Sequence, residues 1–167
     1  MPLIIEDGSI VEGANSYVTG VEYLDWSDAR FGNNRTARPS QSSDADRLVL
    51  RATDYFETLH FIGEKVSSAQ SLQWPRTGAV IDGFEYPSNQ IPPEVKSSIF
   101  ELAYAHETGI GLMQERERKV KKEKADVVEV EYFESSAAQA YSRAVSVTLQ
   151  KLLANAYGIN NFAVCRS

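Results

Sequence analysis

Residues 44–60 read Asp44-Ala45-Asp46-Arg47-Leu48-Val49-Leu50-Arg51-Ala52-Thr53-Asp54-Tyr55-Phe56-Glu57-Thr58-Leu59-His60. Leu48, Ala52, Tyr55, Phe56 and Leu59 fall at i, i+4, i+7, i+8 and i+11, which is one stripe of a helix. Arg47, Arg51, Asp54 and Thr58 lie opposite. The spacing predicts a helix over 44–60, with Ser43 or Asp44 at its start and Gly63 beyond its end. A stripe of this kind must be covered, so the neighbouring segments are read for what covers it.

Upstream, Thr19-Gly20-Val21-Glu22 has capping-box spacing, a threonine with an acid three residues on. It predicts a helix from about Gly20 to Arg30, with Val21, Leu24, Trp26 and Phe31 available for packing and Gly32-Asn33-Asn34 ending it. Residues 1–14 read as an extended segment and residues 32–43 as a polar loop. Downstream, residues 63–93 form a long Ser-, Gly- and Pro-rich connection holding Leu72-Gln73-Trp74-Pro75-Arg76-Thr77-Gly78. Loops of that length are uncommon in compact domains, and a tryptophan inside one usually pins it to the core. Pro92-Pro93 opens a further helix with the stripe Val95, Ile99, Leu102, Ala103 and His106, ended by Gly109 and Gly111. Val128, Val130 and Tyr132 alternate with Glu129 and Glu131, the pattern of a half-buried strand. Its partner would come from 117–124 as a hairpin or from a neighbouring subunit. A last helix is expected at about 138–156, on Tyr141, Val145, Leu149, Leu152, Leu153 and Ala156. The predicted architecture is mainly α: a small bundle of about four helices, a short β-strand or hairpin arm near 117–133, and extended termini. It forms one domain over 1–157, with the arm spanning 115–133 and a tail at 158–167.

The composition is that of an ordinary globular chain: 43% hydrophobic and 24% charged residues among 167. It excludes a collagen-like fibre, a wholly disordered chain and a disulfide-built miniprotein. The first residues lack a basic region, so no signal peptide is expected, and no membrane partner is expected either. The net charge is −6, unevenly spread. Residues 115–124, ERERKVKKEK, hold six basic and three acidic groups, a net +3, which leaves −9 on the rest. Most of the surface should therefore repel nucleic acid, while one run of Arg116, Arg118, Lys119, Lys121, Lys122 and Lys124 could touch phosphate. A solvated charge run on an exposed hairpin is the commoner case, and a contact with an acidic neighbour in an oligomer fits the run too.

No catalytic, metal or cofactor constellation stands out. His60 and His106 sit on helix faces without metal-ligand spacing, and core histidines are the commoner case. Cys165 lies near the end of the chain with no activating base in reach of a motif. Asp25 and Asp28 are three residues apart, as capping or solvating acids often are. The lone Gly109-Ile110-Gly111 follows a helix rather than a strand and is no phosphate loop. The expectation is a protein that is not an enzyme and carries no cofactor.

Ala14-Asn15-Ser16-Tyr17, Arg51-Ala52-Thr53-Asp54-Tyr55, Trp74-Pro75-Arg76-Thr77-Gly78, Ile91-Pro92-Pro93-Glu94-Val95 with Glu101-Leu102-Ala103, and Val128-Glu129-Val130-Glu131-Tyr132 occur in this order. The series resembles a family of tailed-phage and prophage proteins that carry the label DnaT-like single-stranded-DNA-binding protein. Its layout also looks like the head–tail connector, or adaptor, proteins of tailed phages. That resemblance implies a structural virion protein at the head–tail junction, made in the cytoplasm of a bacterial host. It would form a homo-oligomeric ring, a dodecamer, under the portal protein, and would meet a tail, stopper or tail-terminator protein below. Genomic double-stranded DNA would pass through the channel without specific binding. The anchors expected on this reading are Trp74, Pro75 and Arg76 in the loop, Lys121, Lys122, Val130 and Tyr132 in the arm, and Phe162 in the tail. The family label implies the alternative, a replication accessory protein that binds single-stranded DNA.

Overall fold

A computed structural model describes residues 2–112 and 149–154. The first helix, α1, spans Gly20–Phe31, and the expected capping box is present. The Thr19 side chain accepts from the Glu22 amide, and the Glu22 carboxylate takes the Thr19 amide at 2.7 Å. The second helix, α2, spans Ser42–Phe56. It begins two residues earlier than its stripe predicts, from Gln41, which makes no side-chain cap bond. It also ends earlier, because tertiary bonds replace helical ones beyond Phe56. The Glu57 carboxylate is engaged by Tyr17 and by the amide of Gln73, and the chain turns so that His60 and Ile62 bond elsewhere. The buried face of α2 is Ala45, Val49, Ala52, Thr53 and Phe56, with Leu48 and Tyr55 at its margins. The third helix, α3, spans Pro93–Glu107, with proline in its first turn as expected. It packs Val95, Ile99, Leu102 and Ala103 against α2 and α1.

The four-helix bundle is not what forms. The described residues hold three helices and two small antiparallel strand pairs, and the strands lie in the connection that was read as a loop. β1 (Glu64–Lys65) pairs with β2 (Arg76–Thr77), and β3 (Val80–Ile81) pairs with β4 (Phe84–Glu85). Two-residue strands are too short to show a period, so alternation gives no signal for them. A local signal did exist at the second pair. Asp82-Gly83 has positive φ at both residues, 51° and 88°, as a tight type I′ hairpin requires.

The expected helix at 138–156 also differs. Residues 138–148 lie outside the described residues; Leu149 and Gln150 are helical, and the chain then turns. Leu153 forms an antiparallel bridge with Phe61. The Ile62 amide donates to the Leu152 carbonyl at 2.9 Å, and the Ala154 amide to the His60 carbonyl at 3.0 Å. Backbone pairing with 60–62 thus replaces helical bonding before residue 156. The arm at 115–133 and the tail at 158–167 lie outside the described residues.

The core joins Tyr17, Val18 and Tyr23 with the inner faces of α2 and α3, then with Phe61, Leu72, Trp74, Leu149 and Leu152. The N-terminal segment is extended as expected, pairing Ile5 with Ser16 in a single bridge. It closes on the fully buried Glu6 carboxylate, which accepts the amides of Gly8, Ile10 and Val11 at 2.8–3.0 Å.

Candidate nucleic-acid interface

The loop singled out by Trp74-Pro75-Arg76 faces inward. Trp74 and Pro75, joined by a cis bond, are fully buried, and Arg76 is 8% exposed. The guanidinium of Arg76 works as a staple for backbone carbonyls. Its Nε donates to Ile62 at 2.8 Å, Nη2 to Gly63 at 2.7 Å, and Nη1 to the carbonyl and side-chain oxygens of Gln73 at 3.1 and 2.9 Å. Burial lowers its pKa, but a guanidinium remains charged at any physiological pH. Alongside it, the Tyr17 hydroxyl donates to Glu57 at 2.7 Å and accepts the Trp74 amide at 3.0 Å. Burial is the main reason that the Tyr17 hydroxyl sits well above its ordinary pKa and that the Glu57 carboxyl is raised. Glu57, Gln73 and Arg76 line a cleft of about 380 Å³ with His60, Phe61 and Ala154. The Glu57 carboxylate and the Arg76 guanidinium are taken up in holding the loop to the core. Lys121, Lys122, Val130, Tyr132 and Phe162 lie outside the described residues.

A second grouping appears only in three dimensions. α1 and α3 bring four aromatic rings into a continuous row at the surface. Trp26 stacks on Phe100 with centroids 5.4 Å apart, and Phe31 stacks on Tyr104 at 4.0 Å. Trp26 meets Phe31 edge-on at 5.9 Å, which joins the two stacks. Helical spacing sets this up, since Phe100 and Tyr104 are one turn apart on α3. All four rings keep solvent exposure, and Phe31 is 42% exposed.

Arginines border the row. The Arg30 guanidinium lies 4.5 Å from the centroid of Trp26, and that of Arg35 lies 5.9 Å from Tyr104, both within cation–π range. Arg35 and Arg38 also neutralise the adjoining acids. Arg35 Nε bonds Glu107 at 2.9 Å, and Arg38 takes Asp28 in a two-point grip at 2.8 and 2.6 Å. Glu107, buried at the end of α3, accepts in addition from the Tyr23 hydroxyl. This network converts the loop at 32–43 into a strap between α1 and α3.

Sequence reasoning assigned Trp26 and Phe31 to packing and passed over Phe100, Tyr104, Arg35, Arg38 and Glu107. The i, i+4 aromatic pair on α3 was a usable signal. The loop arginines had none, because their partners are set by folding.

The rest of the described surface is acidic. Residues 2–112 and 149–154 hold 16 of the chain's 23 acidic residues and 9 of its 17 Lys and Arg. Among the described residues no group of three or more His, Cys, Asp or Glu is placed to hold a metal ion. None of the described helices is long and apolar enough to cross a membrane.

The described residues thus form three helices with two short antiparallel strand pairs and carry an aromatic–arginine row, and the sequence adds a basic run at 115–124. The chain belongs to the family described as "Putative DnaT-like ssDNA binding protein", whose model matches residues 1–167. No curated protein and no solved structure matches it.

Proposed function

We propose that this protein binds single-stranded DNA without catalysing a reaction on it. Membership of the family over the full length carries the reading. The run of Arg116, Arg118, Lys119, Lys121, Lys122 and Lys124 supplies the phosphate contacts, since it is the stretch where positive charge clearly exceeds negative. The acidic remainder of the chain limits affinity and confines the strand to that run and to surfaces where the acids are paired. Binding of this kind is strongly salt-dependent. Single strands lose about 0.7 in log K per log unit of salt for each phosphate contact, so six cations set a limiting slope of about −4. Titration of the full chain with a fluorescent oligothymidylate at increasing salt measures it. The expected slope lies between about −2 and −4, and Lys121→Glu/Lys122→Glu should flatten it by at least about 1.4. Absence of binding at low salt would refute the reading.

The acid excess on the described residues favours a second reading, a head–tail connector in a phage particle. Of the arginines there, Arg35, Arg38, Arg47 and Arg76 are engaged by acids or carbonyls within the fold. A wall of that character would let duplex DNA slide past rather than grip it. On this reading the chain forms a ring on a portal protein and presents its other face to a tail or stopper protein. Electron microscopy of the protein mixed with portal rings tests it. Added ring density at one end, without salt-sensitive DNA binding, would favour the connector, and the converse would favour the DNA binder.

A further inference from the structure

We infer that the row formed by Trp26, Phe31, Phe100 and Tyr104 is a stacking platform for the bases of a single DNA strand. The inference rests on the single-stranded-DNA reading and adds to it a site separate from the basic run.

Three observations converge on the row. Phe31 is exposed and the other three rings are half-buried, and all four are already ordered by one another, through stacks at 5.4 and 4.0 Å and the edge contact at 5.9 Å. A pre-ordered aromatic surface loses little side-chain freedom when a base settles on it. An exposed cation borders it, Arg30 over Trp26, placed to meet a phosphate beside a stacked base, whereas the donors of Arg35 are taken by Glu107, Asp28, Ser27 and Gly32. The acids that hold the strap, Asp28 of α1 and Glu107 of α3, are paired with Arg38 and Arg35, so their repulsion of a phosphate backbone is largely cancelled. On an otherwise acidic domain, this is a place where a polyanion with flat apolar bases finds complementary chemistry. Stacking of this kind tolerates any base, because every base has a π-face.

Phe31 is the probe, because it is the most exposed of the four rings and ends α1. Phe31→Ala should weaken oligothymidylate binding by about tenfold with the salt slope unchanged, since stacking releases no counterions. Phe31→Tyr should restore binding. Circular dichroism and the melting temperature of each variant confirm that the fold is retained. In the native protein, saturation with oligothymidylate should quench tryptophan emission, because Trp74 is fully buried and Trp26 is the accessible indole. If Phe31→Ala binds as tightly as the native chain while Lys121→Glu/Lys122→Glu loses binding, the platform is overturned and the DNA reading stands. If the native chain binds no oligonucleotide, both fall together.

Discussion

Arg76 shows how one side chain organises a segment without regular structure. Its neighbours in space are the carbonyls of Ile62, Gly63 and Gln73, each of which accepts a hydrogen bond from it. A buried carbonyl stripped of its donor costs about 1–3 kcal/mol, and lysine cannot reproduce the planar fork. Arg76→Lys should therefore destabilise the fold by about 2–4 kcal/mol. The measurement is urea unfolding, with a lower midpoint and an unchanged m value. The importance of Trp74-Pro75-Arg76 was visible in the sequence, as a Trp-Pro pair inside a polar loop. That Trp74 pins the loop to the core was expected from its residue type, whereas the inward turn of Arg76 was not visible. That depends on acceptors at 62, 63 and 73, which only the fold brings around the guanidinium.

Among the elements, the 63–93 connection departs furthest from expectation. Gly63, whose φ is +69°, immediately precedes β1 and lies against Thr77 of β2 and Ala79. A Cβ there would meet the Thr77 carbonyl oxygen at 2.5 Å and the Ala79 amide nitrogen at 2.8 Å. Gly78 also has a positive φ, +65°, but a Cβ on it meets nothing within 4 Å. The two positions separate conformational strain from steric contact. Gly78→Ala should cost about 1 kcal/mol, the left-handed penalty alone. Gly63→Ala should cost at least about 2 kcal/mol more, because backbone must shift on the facing segment. Thermal melts of the two variants side by side provide the comparison. Helices α2 and α3 were legible because each repeats its apolar positions over three turns or more, with Pro93 and Gly109 punctuating α3, and α1 because the capping box at Thr19 marks its start. The strand pairs were not legible by period, though Asp82-Gly83 marked one turn. The helix placed at 138–156 was drawn too long because Leu152 and Leu153 continue its apolar stripe. In the fold they serve a backbone bridge to Phe61 instead.

At the scale of the whole molecule, charge pairing ties α1, the 32–43 strap and α3 together. The Asp28 carboxyl is held below its ordinary pKa, first by its hydrogen bond with Arg38 and then by the charges of Arg38 and Arg35. A carboxyl depressed in the folded state contributes stability above its unfolded pKa, near 4, and loses it as pH falls through the lower folded value. Asp28→Asn should therefore destabilise the protein by about 1–2 kcal/mol at neutral pH. The gap between native and variant melting temperatures should persist down to about pH 4 and close in more acidic solution. A gap that stayed constant down to the acid limit would show that the pairing does not set it.

The sequence by itself determined where three helices form, how α1 is capped, and that positive charge is concentrated at 115–124 against an acidic remainder. These properties are local: they depend on residue type and on spacings of three, four or seven along one segment. Only the tertiary structure decided that Arg76 turns into the core beside Trp74, that the connection pairs as short strands, and that Trp26, Phe31, Phe100 and Tyr104 form one surface. Each of these joins residues far apart in the chain. Trp26 and Phe100 become neighbours because α1 and α3 pack side by side, and no periodicity within either helix encodes that meeting.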